Sequence, residues 1–397
     1  MIVDWHSHYP MHIAAGDGAT LTLMRSRRRP KLRDRFRACV LSVASHLANY
    51  QGPGGGPGVT LETLKASNVR VALSALYVPL DEMDLEVPYG SPPRPGYFRD
   101  LLAQLDAVEA SLAGQTEVVL ARDVAALDAA VATGKVALIH AVEGGFHLGD
   151  SPDAVRANVR TLAERGVAYV TITHLFWRRV GTNAPGLPFL PDWLYGLIFP
   201  QPRPGLDDLS RAAIEAMVAH GILVDVTHMS AASLRETLQL LDRLDPARTV
   251  PVIASHSAAD FGGLKYNLTD DQIRQIARRR GLVGLIACTH WMARGLSAPK
   301  TFQQSVDVIC RHIDRLHDVT GSHEFTAFGS DQDGFIKPTL PGLETPMGLG
   351  AVEVELARRY DATVAGMICR SNSRRVLGSW GRPANGRVAP VEGMPPA

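Results

Sequence analysis

The chain is poor in the features that mark several common protein classes. Only four of its 397 residues are cysteines, and no two of them form a close CxxC pair, which argues against a disulfide framework and against a zinc knuckle. Its 41 Lys and Arg residues nearly balance 40 Asp and Glu residues, so we expect neither nucleic acid nor an anionic membrane as a partner. No stretch reaches the roughly 18 to 20 uninterrupted apolar residues that a membrane span needs.

The first residues of the chain bear on its location. The first apolar run begins at Ile2 and already includes His6 and His8. Cleavage of a signal peptide would therefore remove part of the site proposed below. We expect a cytoplasmic protein.

The chain does contain apolar runs at fairly regular intervals. Continuous Val, Ile, Leu and Ala runs are typical of parallel strands, because such strands are buried on both faces. The runs predict eight strands: Ile2–His8, Val69–Tyr77, Lys135–Glu143, Val167–His174, Ile222–His228, Val250–His256, Gly281–His290 and Glu324–Asp331.

Helical patterns lie between these strands. Apolar residues at three- and four-residue spacing predict helices over Ala154–Arg165, Leu209–His220, Ala231–Leu241, Asp270–Arg279 and Gln303–His317. Ser151, Ser230 and Thr269 stand at predicted helix starts, whereas glycines at 166, 221 and 281 follow predicted ends. Alternating strand and helix predicts an α/β fold, namely a (β/α)8 TIM-like barrel with elaborated rim loops. We assign residues 1–380 to this single domain and residues 381–397 to an extended tail.

Nearly every predicted strand ends in a residue that can bind a metal or move a proton. In β/α barrels the carboxyl ends of the strands form the active site, where residues distant in sequence converge. The pattern therefore predicts chemistry at one rim of the barrel. The last residues of the eight runs are His8, Tyr77, Glu143, His174, His228, His256, His290 and Asp331.

Four of these rim residues, together with His6, form a pattern typical of metal ligands. His6 and His8 are two apart on a strand, so both project to one side and can share a cation. Glu143 ends an apolar strand, where a buried carboxylate needs a cation as partner. His228 and His256 end consecutive strands and should lie side by side. Two cations with Glu143 between them would use all five ligands, and this set without thiolate suits zinc, while Mn or Co fits the same geometry.

Two further residues suggest the chemistry. A pair of metals can hold a bridging hydroxide at neutral pH, which would attack a polarised carbonyl. Asp331, in GSDQDG, is the candidate for proton transfer, and His174 is the candidate for stabilising the oxyanion. Each also has a structural interpretation, Asp331 as the cap of a turn and His174 as a hydrogen-bonded core residue.

A series of motifs resembles those of the membrane (renal) dipeptidase family of metal-dependent peptidases, in order and over almost the whole chain. The motifs are DWHSH, HAVEGG, VTITHLF, GILVDVTHMS, PVIASHS, NLTDDQIR, FGSDQDG and SNSRRVL. The resemblance implies a zinc β/α barrel related to the amidohydrolases. It also implies a homodimer, and dipeptide substrates that in some members carry a D-residue at the second position.

The same resemblance implies roles for individual residues. Glu143 would bridge two zinc ions, and His6 would belong to one of them. His228 and His256 would hold the other. His174 would bind the substrate or its oxyanion, and Asp331 would transfer a proton.

The chain departs from the family pattern at two places. The family's first motif is His-x-Asp, but here it is His6-Ser7-His8, so an imidazole replaces a carboxylate beside one metal. The family also carries an Arg before the Asn of its Asn-Leu-x-Asp segment, where Lys265 and Tyr266 precede Asn267 here. Lys265 lacks the bidentate fork of a guanidinium. These departures weaken the prediction of a dipeptide substrate more than the prediction of hydrolysis.

The expected function is metal-dependent hydrolysis of the amide bond of dipeptides or dipeptide-like small molecules. Lysine, tyrosine and histidine residues at the rim are the candidate substrate contacts, namely His174, Lys265, Tyr266 and His290. His290 has an alternative interpretation as a residue that packs under Trp291. Other hypotheses are an amidohydrolase-type enzyme acting on a lactam, a lactone or an N-acyl amino acid, and a non-catalytic small-molecule binding protein.

Three segments outside the strands and helices also allow predictions. Thr182–Asp208, rich in Pro and bulky apolar residues, is either a lid or binding wall or a surface or oligomer contact. Gly52–Gly58 lacks the Lys-Ser/Thr ending of a P-loop and is predicted to be a flexible connector. The basic run Arg25–Arg37 is either a solvated face or an attractor for an acidic substrate group.

Overall fold

A computed structural model of the chain describes residues 1–14, 32, 35–37, 39–40, 56–84, 86–188, 190–201 and 203–384. Within these residues the strands form one parallel sheet. They are β1 Ile2–Ser7, β2 Val69–Leu76, β3 Val118–Leu120, β4 Val136–Glu143, β5 Tyr169–Thr171, β6 Leu223–Asp225, β7 Val252–Ser257, β8 Leu282–Leu285 and β9 Thr326–Phe328.

The sheet closes on itself as an eight-stranded barrel. The strands pair in the order β2-β1-β9-β8-β7-β6-β5-β4, and β2 pairs with β4 over six consecutive positions to complete the circle. All eight strands predicted from the sequence are members of this circle, so the predicted TIM-like barrel is confirmed.

β3 is an additional strand that the sequence analysis missed. It pairs with the first residues of β4, from Val136 to Leu138, whereas β5 pairs with the last two, Val142 and Glu143. A strand of only three residues offers too short a pattern for recognition.

Helices surround the barrel and occupy its rim. They are α1 Pro10–Ala14, α2 Leu61–Ala66, α3 Pro79–Glu82, α4 Gly96–Ser111, α5 Val124–Ala132, α6 Pro152–Glu164, α7 Asp192–Ile198, α8 Asp208–His220, α9 Ala231–Leu244, α10 Asp270–Arg278, α11 Thr289–Met292, α12 Phe302–Thr320, α13 Pro346–Arg359, α14 Ala362–Gly366 and α15 Asn372–Leu377. The five predicted helices correspond to α6, α8, α9, α10 and α12.

The predicted helix starts are confirmed by their side-chain caps. The Ser151 hydroxyl accepts a hydrogen bond from the third residue of α6, and the Ser230 hydroxyl does the same for α9. Thr269 and Gln272 form a reciprocal capping box at the start of α10. These caps satisfy backbone N–H groups that have no partner within the helix.

The predicted helix ends are confirmed at two glycines and corrected at a third. Gly166 and Gly221 adopt φ values of +76° and +73° in the left-handed region. After α10, however, Arg280 is the left-handed residue, with φ of 55°, and Gly281 is not. A Cβ at position 281 would collide with the backbone oxygen of Val252, so glycine is needed there for close approach.

Several residues predicted to end strands lie a few positions beyond the observed end of the strand. β5 ends three residues before His174, and β6 ends three residues before His228. The prediction that His290 ends a strand is wrong, because β8 stops at Leu285 and His290 lies in the short helix α11. Some rim residues are therefore carried by the loops that leave the strands, whereas His6, Glu143 and His256 lie in the strands themselves.

The remaining segments are only partly described. Of the predicted tail, residues 381–384 are described, and the backbone N–H of Gly381 donates to the Gly221 carbonyl. Most of Arg25–Arg37 and of Gly52–Gly58 lies outside the described residues. No helix in the described part of the chain is long and apolar enough to cross a membrane.

Candidate metal centre

Glu143 lies at the end of β4 and faces the interior of the barrel. Successive residues of a strand point to opposite sides, and His140 faces outward, with its Nε2 3.6 Å from Oε1 of Glu109 in α4. Glu143 is three residues later and so points the other way. Its carboxylate is almost completely buried, in a position that the strand pattern of β4 dictates.

Three imidazoles approach one oxygen of this carboxylate, two from the loops after β5 and β6 and one from β7 itself. Oε1 of Glu143 lies 3.3 Å from Nε2 of His174, 3.7 Å from Nε2 of His228 and 3.4 Å from Nε2 of His256. The Nε2 atoms of His228 and His256 are 3.0 Å apart. The predicted side-by-side placement of these two histidines is therefore observed.

His6, in β1, and His8, directly after it, also approach Glu143. Nε2 of His6 lies 3.4 Å from Oε1 and Nε2 of His8 lies 3.3 Å from Oε2. The two Nε2 atoms are 3.2 Å apart, as expected for side chains on one side of a strand. Asp331 completes this group, with its Oδ1 2.9 Å from Nε2 of His8.

The ring orientation of His6 leaves one nitrogen free for a ligand. The Tyr169 hydroxyl donates to the carbonyl of Trp5, so its oxygen accepts the proton on Nδ1 of His6, 2.6 Å away. In the neutral ring Nε2 then carries a lone pair, directed at Glu143. The second nitrogen of a metal-binding histidine is typically held in this way.

The same argument applies to His256. The Ser255 hydroxyl donates to Oδ2 of Asp225, so its oxygen accepts from Nδ1 of His256 at 2.9 Å. Burial, together with the nearby His6 ring, holds the pKa of His256 well below its ordinary value. A neutral imidazole is the form that binds a metal.

The donor set fits divalent cations. Ligand atoms within 4.8 Å of one another form three overlapping triads, His6–His8–Asp331, His6–Glu143–His256 and Glu143–His174–His228. Oε2 of Glu143 and Oδ1 of Asp331 are buried and have no hydrogen-bond partner among the described residues. Buried carboxylate oxygens without hydrogen-bond partners are costly, and a cation held between them and the imidazoles removes that cost.

The charge of Glu143 depends on the surrounding rings. Burial by itself raises the pKa of this carboxyl group, but the imidazoles of His174 and His6 outweigh burial and hold its pKa well below the ordinary value. Glu143 is therefore ionised, which is the form that a metal ligand requires.

Two buried aspartates beneath the rim were missed by the sequence analysis. Asp225 accepts from the backbone N–H and the hydroxyl of Ser255, the residue before His256. Asp4 accepts from the backbone N–H and the hydroxyl of Ser330, the residue before Asp331. Each aspartate thus holds the backbone on which a rim residue stands. A carboxylate inside an apolar strand was the signal that would have revealed both.

Glu82, in α3, was also missed although it contacts His174 directly. It is completely buried, and its Oε2 lies 2.8 Å from Nδ1 of His174. Burial lowers the pKa of His174, but the carboxylates of Glu143 and Glu82 outweigh this and raise the pKa to about 9. The sequence gives no strand-end signal at Glu82, because the apolar run ends at Tyr77.

The other predicted substrate contacts lie in the chain segments that follow β7 and β8. Tyr266 is buried, its ring lies 5.0 Å from that of His228, and its hydroxyl donates to the carbonyl of His256. The Lys265 side chain is exposed. His290 is half-buried, with its ring edge against the adjacent Trp291. Of these residues, only Tyr266 packs directly against a predicted metal ligand.

Part of the long segment Thr182–Asp208 lies over the centre. Gly186 is so close to His228 that a Cβ would come within 3.1 Å of its Nδ1. Farther along, α7 exposes two large apolar side chains, Trp193 and Leu197. The segment therefore combines a wall against His228 with an exposed apolar face, and the two interpretations of it both remain predictions.

Arg37 is the last residue of the basic run Arg25–Arg37, and its side-chain contacts are described. Nε of Arg37 donates to the carbonyl of Ile198, at the end of α7, and the guanidinium stacks 4.2 Å from the ring centre of Tyr89. Arg37 is thus a buried structural contact. Attraction of an acidic substrate by the rest of the run stays a prediction.

Comparison with known proteins identifies relatives. The model of the membrane dipeptidase family (peptidase family M19) matches residues 49–386, a range that begins after His6 and His8. Dipeptidase 3 of Rattus norvegicus is 25% identical over 279 residues, which are 69% of this chain and 49% of that protein. The chain therefore spans about half the length of this relative.

Two solved structures share the fold. The dipeptidase AC, a metallopeptidase of family M19, aligns with a TM-score of 0.70 at 22% identity and covers 96% of this chain and 98% of its own. A metallopeptidase from Rhodobacter sphaeroides, liganded with a phosphinate mimic of the dipeptide L-Ala-D-Ala, has a TM-score of 0.70 at 21% identity and covers 96% and 99%. At these identities the likeness is one of fold.

Proposed function

The chain belongs to the membrane dipeptidase family, peptidase family M19, and we propose that it hydrolyses the amide bond of dipeptides or dipeptide-like small molecules with the help of two zinc ions. One observation carries the proposal. The Nε2 atoms of five buried histidines lie within 3.7 Å of the two oxygens of Glu143. This arrangement is what a two-metal hydrolase requires.

The geometry suggests how the ligands would be divided. His6 and His8 would hold one cation, and His228 and His256 would hold the other. Glu143 lies between the two pairs and would contact both cations. Imidazole and carboxylate ligands favour zinc, and Mn or Co would suit the same set.

When bound, the cations supply Lewis-acid polarisation of the scissile carbonyl and a water nucleophile at neutral pH. The chain supplies the rest. His174, as an imidazolium with a proton on each ring nitrogen, would donate from Nε2 to the oxygen on which negative charge develops. Asp331 would accept a proton at Oδ1 and deliver it to the leaving amine.

The hydrogen bond that the Tyr266 hydroxyl makes within the protein favours a second group of substrates. This hydroxyl already donates to the His256 carbonyl, so it is not free to donate to the carboxylate of a dipeptide. The neighbouring Lys265 side chain is exposed. A lactam, a lactone or an N-acyl amino acid would not require that carboxylate contact, so these compounds form the alternative substrate class.

The first test is release of free amino acids from a panel of L,L and L,D dipeptides by zinc-reconstituted protein. Treatment with a chelator should abolish cleavage, and added zinc should restore it. If protein with measured zinc content cleaves no dipeptide, the dipeptidase proposal is wrong and the panel moves to lactams, lactones and N-acyl amino acids. A non-catalytic binding protein would cleave none of these compounds and would tolerate an empty metal site.

A further inference from the structure

Glu82 is joined to His174 by a network that no metal ligand shares. Its Oε2 accepts hydrogen bonds from the Tyr77 hydroxyl at 2.7 Å and from Nδ1 of His174 at 2.8 Å. Its Oε1 accepts from the backbone N–H of Phe176 at 2.9 Å. A buried carboxylate with three donors is held in one orientation.

The Glu82 carboxylate determines which nitrogen of His174 faces the metal centre. An ionised carboxylate can only accept hydrogen bonds, so Nδ1 of His174 has to carry a proton. Nε2, on the far side of the ring, then points at Oε1 of Glu143, 3.3 Å away. A ring rotated by half a turn would place a carbon atom at Glu82 and would lose this hydrogen bond.

Packing prevents the ring from turning. The Tyr77 ring meets the His174 ring edge to face, with centroids 4.7 Å apart, and the His228 ring does the same at 4.5 Å. The backbone that carries Glu82 is fixed as well, because Nε of Arg178 donates to the Glu82 carbonyl at 2.6 Å. His174 is therefore held by α3 from behind and by side chains on two flanks.

We propose that Glu82 is a positioning residue that fixes the ring orientation of His174 through the hydrogen bond at Nδ1 and so keeps Nε2 directed at the reacting carbonyl. The proposal rests on the proposed function of His174 as the group that stabilises the oxyanion. It assigns a role to the loop after β2, which carries none of the predicted metal ligands. Misplacing such a donor by about 1 Å can cost on the order of 100-fold in rate.

The wild-type protein permits a test that needs no activity. Long-range proton–nitrogen NMR spectra of histidine-labelled protein, metal-free and zinc-loaded, report which ring nitrogens carry protons. Loss of the signals in His174→Ala would assign them. We expect a protonated Nδ1 in both forms, and an Nδ1 without a proton in the folded wild type would overturn the proposal.

Variants then separate positioning from structural support. Glu82→Gln keeps one carbonyl oxygen as acceptor, whereas Glu82→Leu keeps none. We expect kcat to fall about 10- to 100-fold in Glu82→Gln and further in Glu82→Leu, with KM changed by less than about threefold. Glu86→Gln, at an exposed carboxylate on the same loop, is the matched control and should keep wild-type kcat.

Zinc content and thermal melting of each variant complete the design. A merely structural role predicts that kcat falls only in proportion to lost zinc or lost folded protein, which would contradict positioning. Unchanged kcat in a folded, zinc-loaded Glu82→Leu protein would contradict it too. Absence of dipeptide cleavage by the wild type with Nδ1 of His174 protonated would refute the proposed function and leave the positioning intact.

Discussion

Nε2 of His8 lies 2.9 Å from Oδ1 of Asp331, and both side chains are buried. The imidazole therefore contacts two carboxylates, since Oε2 of Glu143 is 3.3 Å from the same nitrogen. A carboxylate at position 8 would face two others across the same space. The identity of this residue thus sets the charge of one half of the metal centre.

Changing His8→Asp should strengthen metal binding and weaken the metal-free protein. The added negative charge attracts a divalent cation but repels Glu143 and Asp331 when no cation is present. We expect zinc affinity to rise at least about tenfold, because a charge pair at about 4 Å is worth several kcal/mol near a protein surface. Competition with a fluorescent chelator measures the affinity, and melting with and without chelator measures stability. Equal affinities in the two proteins would show that His8 does not contact the metal.

Changing Glu143→Gln should remove metal and activity together. The amide cannot supply the charge that two cations share, and it would bring N–H donors toward imidazole lone pairs. Metal analysis by mass spectrometry should show less than half of the wild-type zinc, with no measurable turnover. Glu117→Gln, at an exposed carboxylate, is the control for a charge loss away from the site. Full zinc occupancy in Glu143→Gln would refute the bridging assignment.

Changing Asp331→Asn should leave the metal bound and abolish turnover. The amide keeps the shape of the side chain but cannot accept and return a proton, a loss that typically costs 100- to 10,000-fold. Zinc content and the rate of dipeptide cleavage are measured on the same sample. Because Asp331 also lies in a triad with His6 and His8, loss of one zinc ion from the variant would identify it as a ligand. Near-normal turnover would eliminate it from the mechanism.

The buried carboxyl group of Asp81 should make stability depend on pH. Burial, followed by the charges of Asp100 and Asp84, raises the pKa of Asp81 from 3.8 to about 7. Because the folded state keeps this proton longer than the unfolded state does, the free energy of unfolding falls as the pH rises from about 4 to 7.

Asp81→Asn removes that loss, since the amide does not ionise. We expect the variant to gain about 1–3 kcal/mol over the wild type at pH 8 and little at pH 4. Denaturant unfolding at the two pH values measures the difference, with Asp150→Asn at an exposed position as the control. A gain that is the same at both pH values would mean that ionisation of Asp81 is not its cause.

The barrel strands and most rim residues were predictable from local pattern. An apolar run such as Lys135–Glu143 is visible in the sequence because every residue of a parallel barrel strand is buried, and its terminal carboxylate stands out against that background. His6 and His8 were predictable as a pair because the two-residue period of a strand is independent of the rest of the fold. Cap residues such as Ser151 act within one helical turn and were equally visible.

Other features depend on contacts between elements that the sequence leaves far apart. β3 could not be predicted because three residues are too few to show the alternation of a strand. Its pairing with β4 depends on the path of the chain between them. His290 was misplaced because a turn after Leu285 ends the strand before the apolar run ends. Nothing in the sequence around Glu82 indicates its role. Its partner His174 lies 92 positions later, and only a hydrogen bond in the folded structure joins the two.

The sequence by itself determined the barrel, the rim and the set of residues able to bind metal, because strand burial and side-chain alternation are local properties that repeat along the chain. Only the tertiary structure decided which nitrogen of His6, His174 and His256 faces Glu143. That choice depends on second partners such as Tyr169, Ser255 and Glu82. Tyr169 and Glu82 reach the rings from another strand and a helix, and Ser255, next to His256 in β7, is oriented by Asp225 of β6. Three-dimensional packing therefore sets their distances and directions.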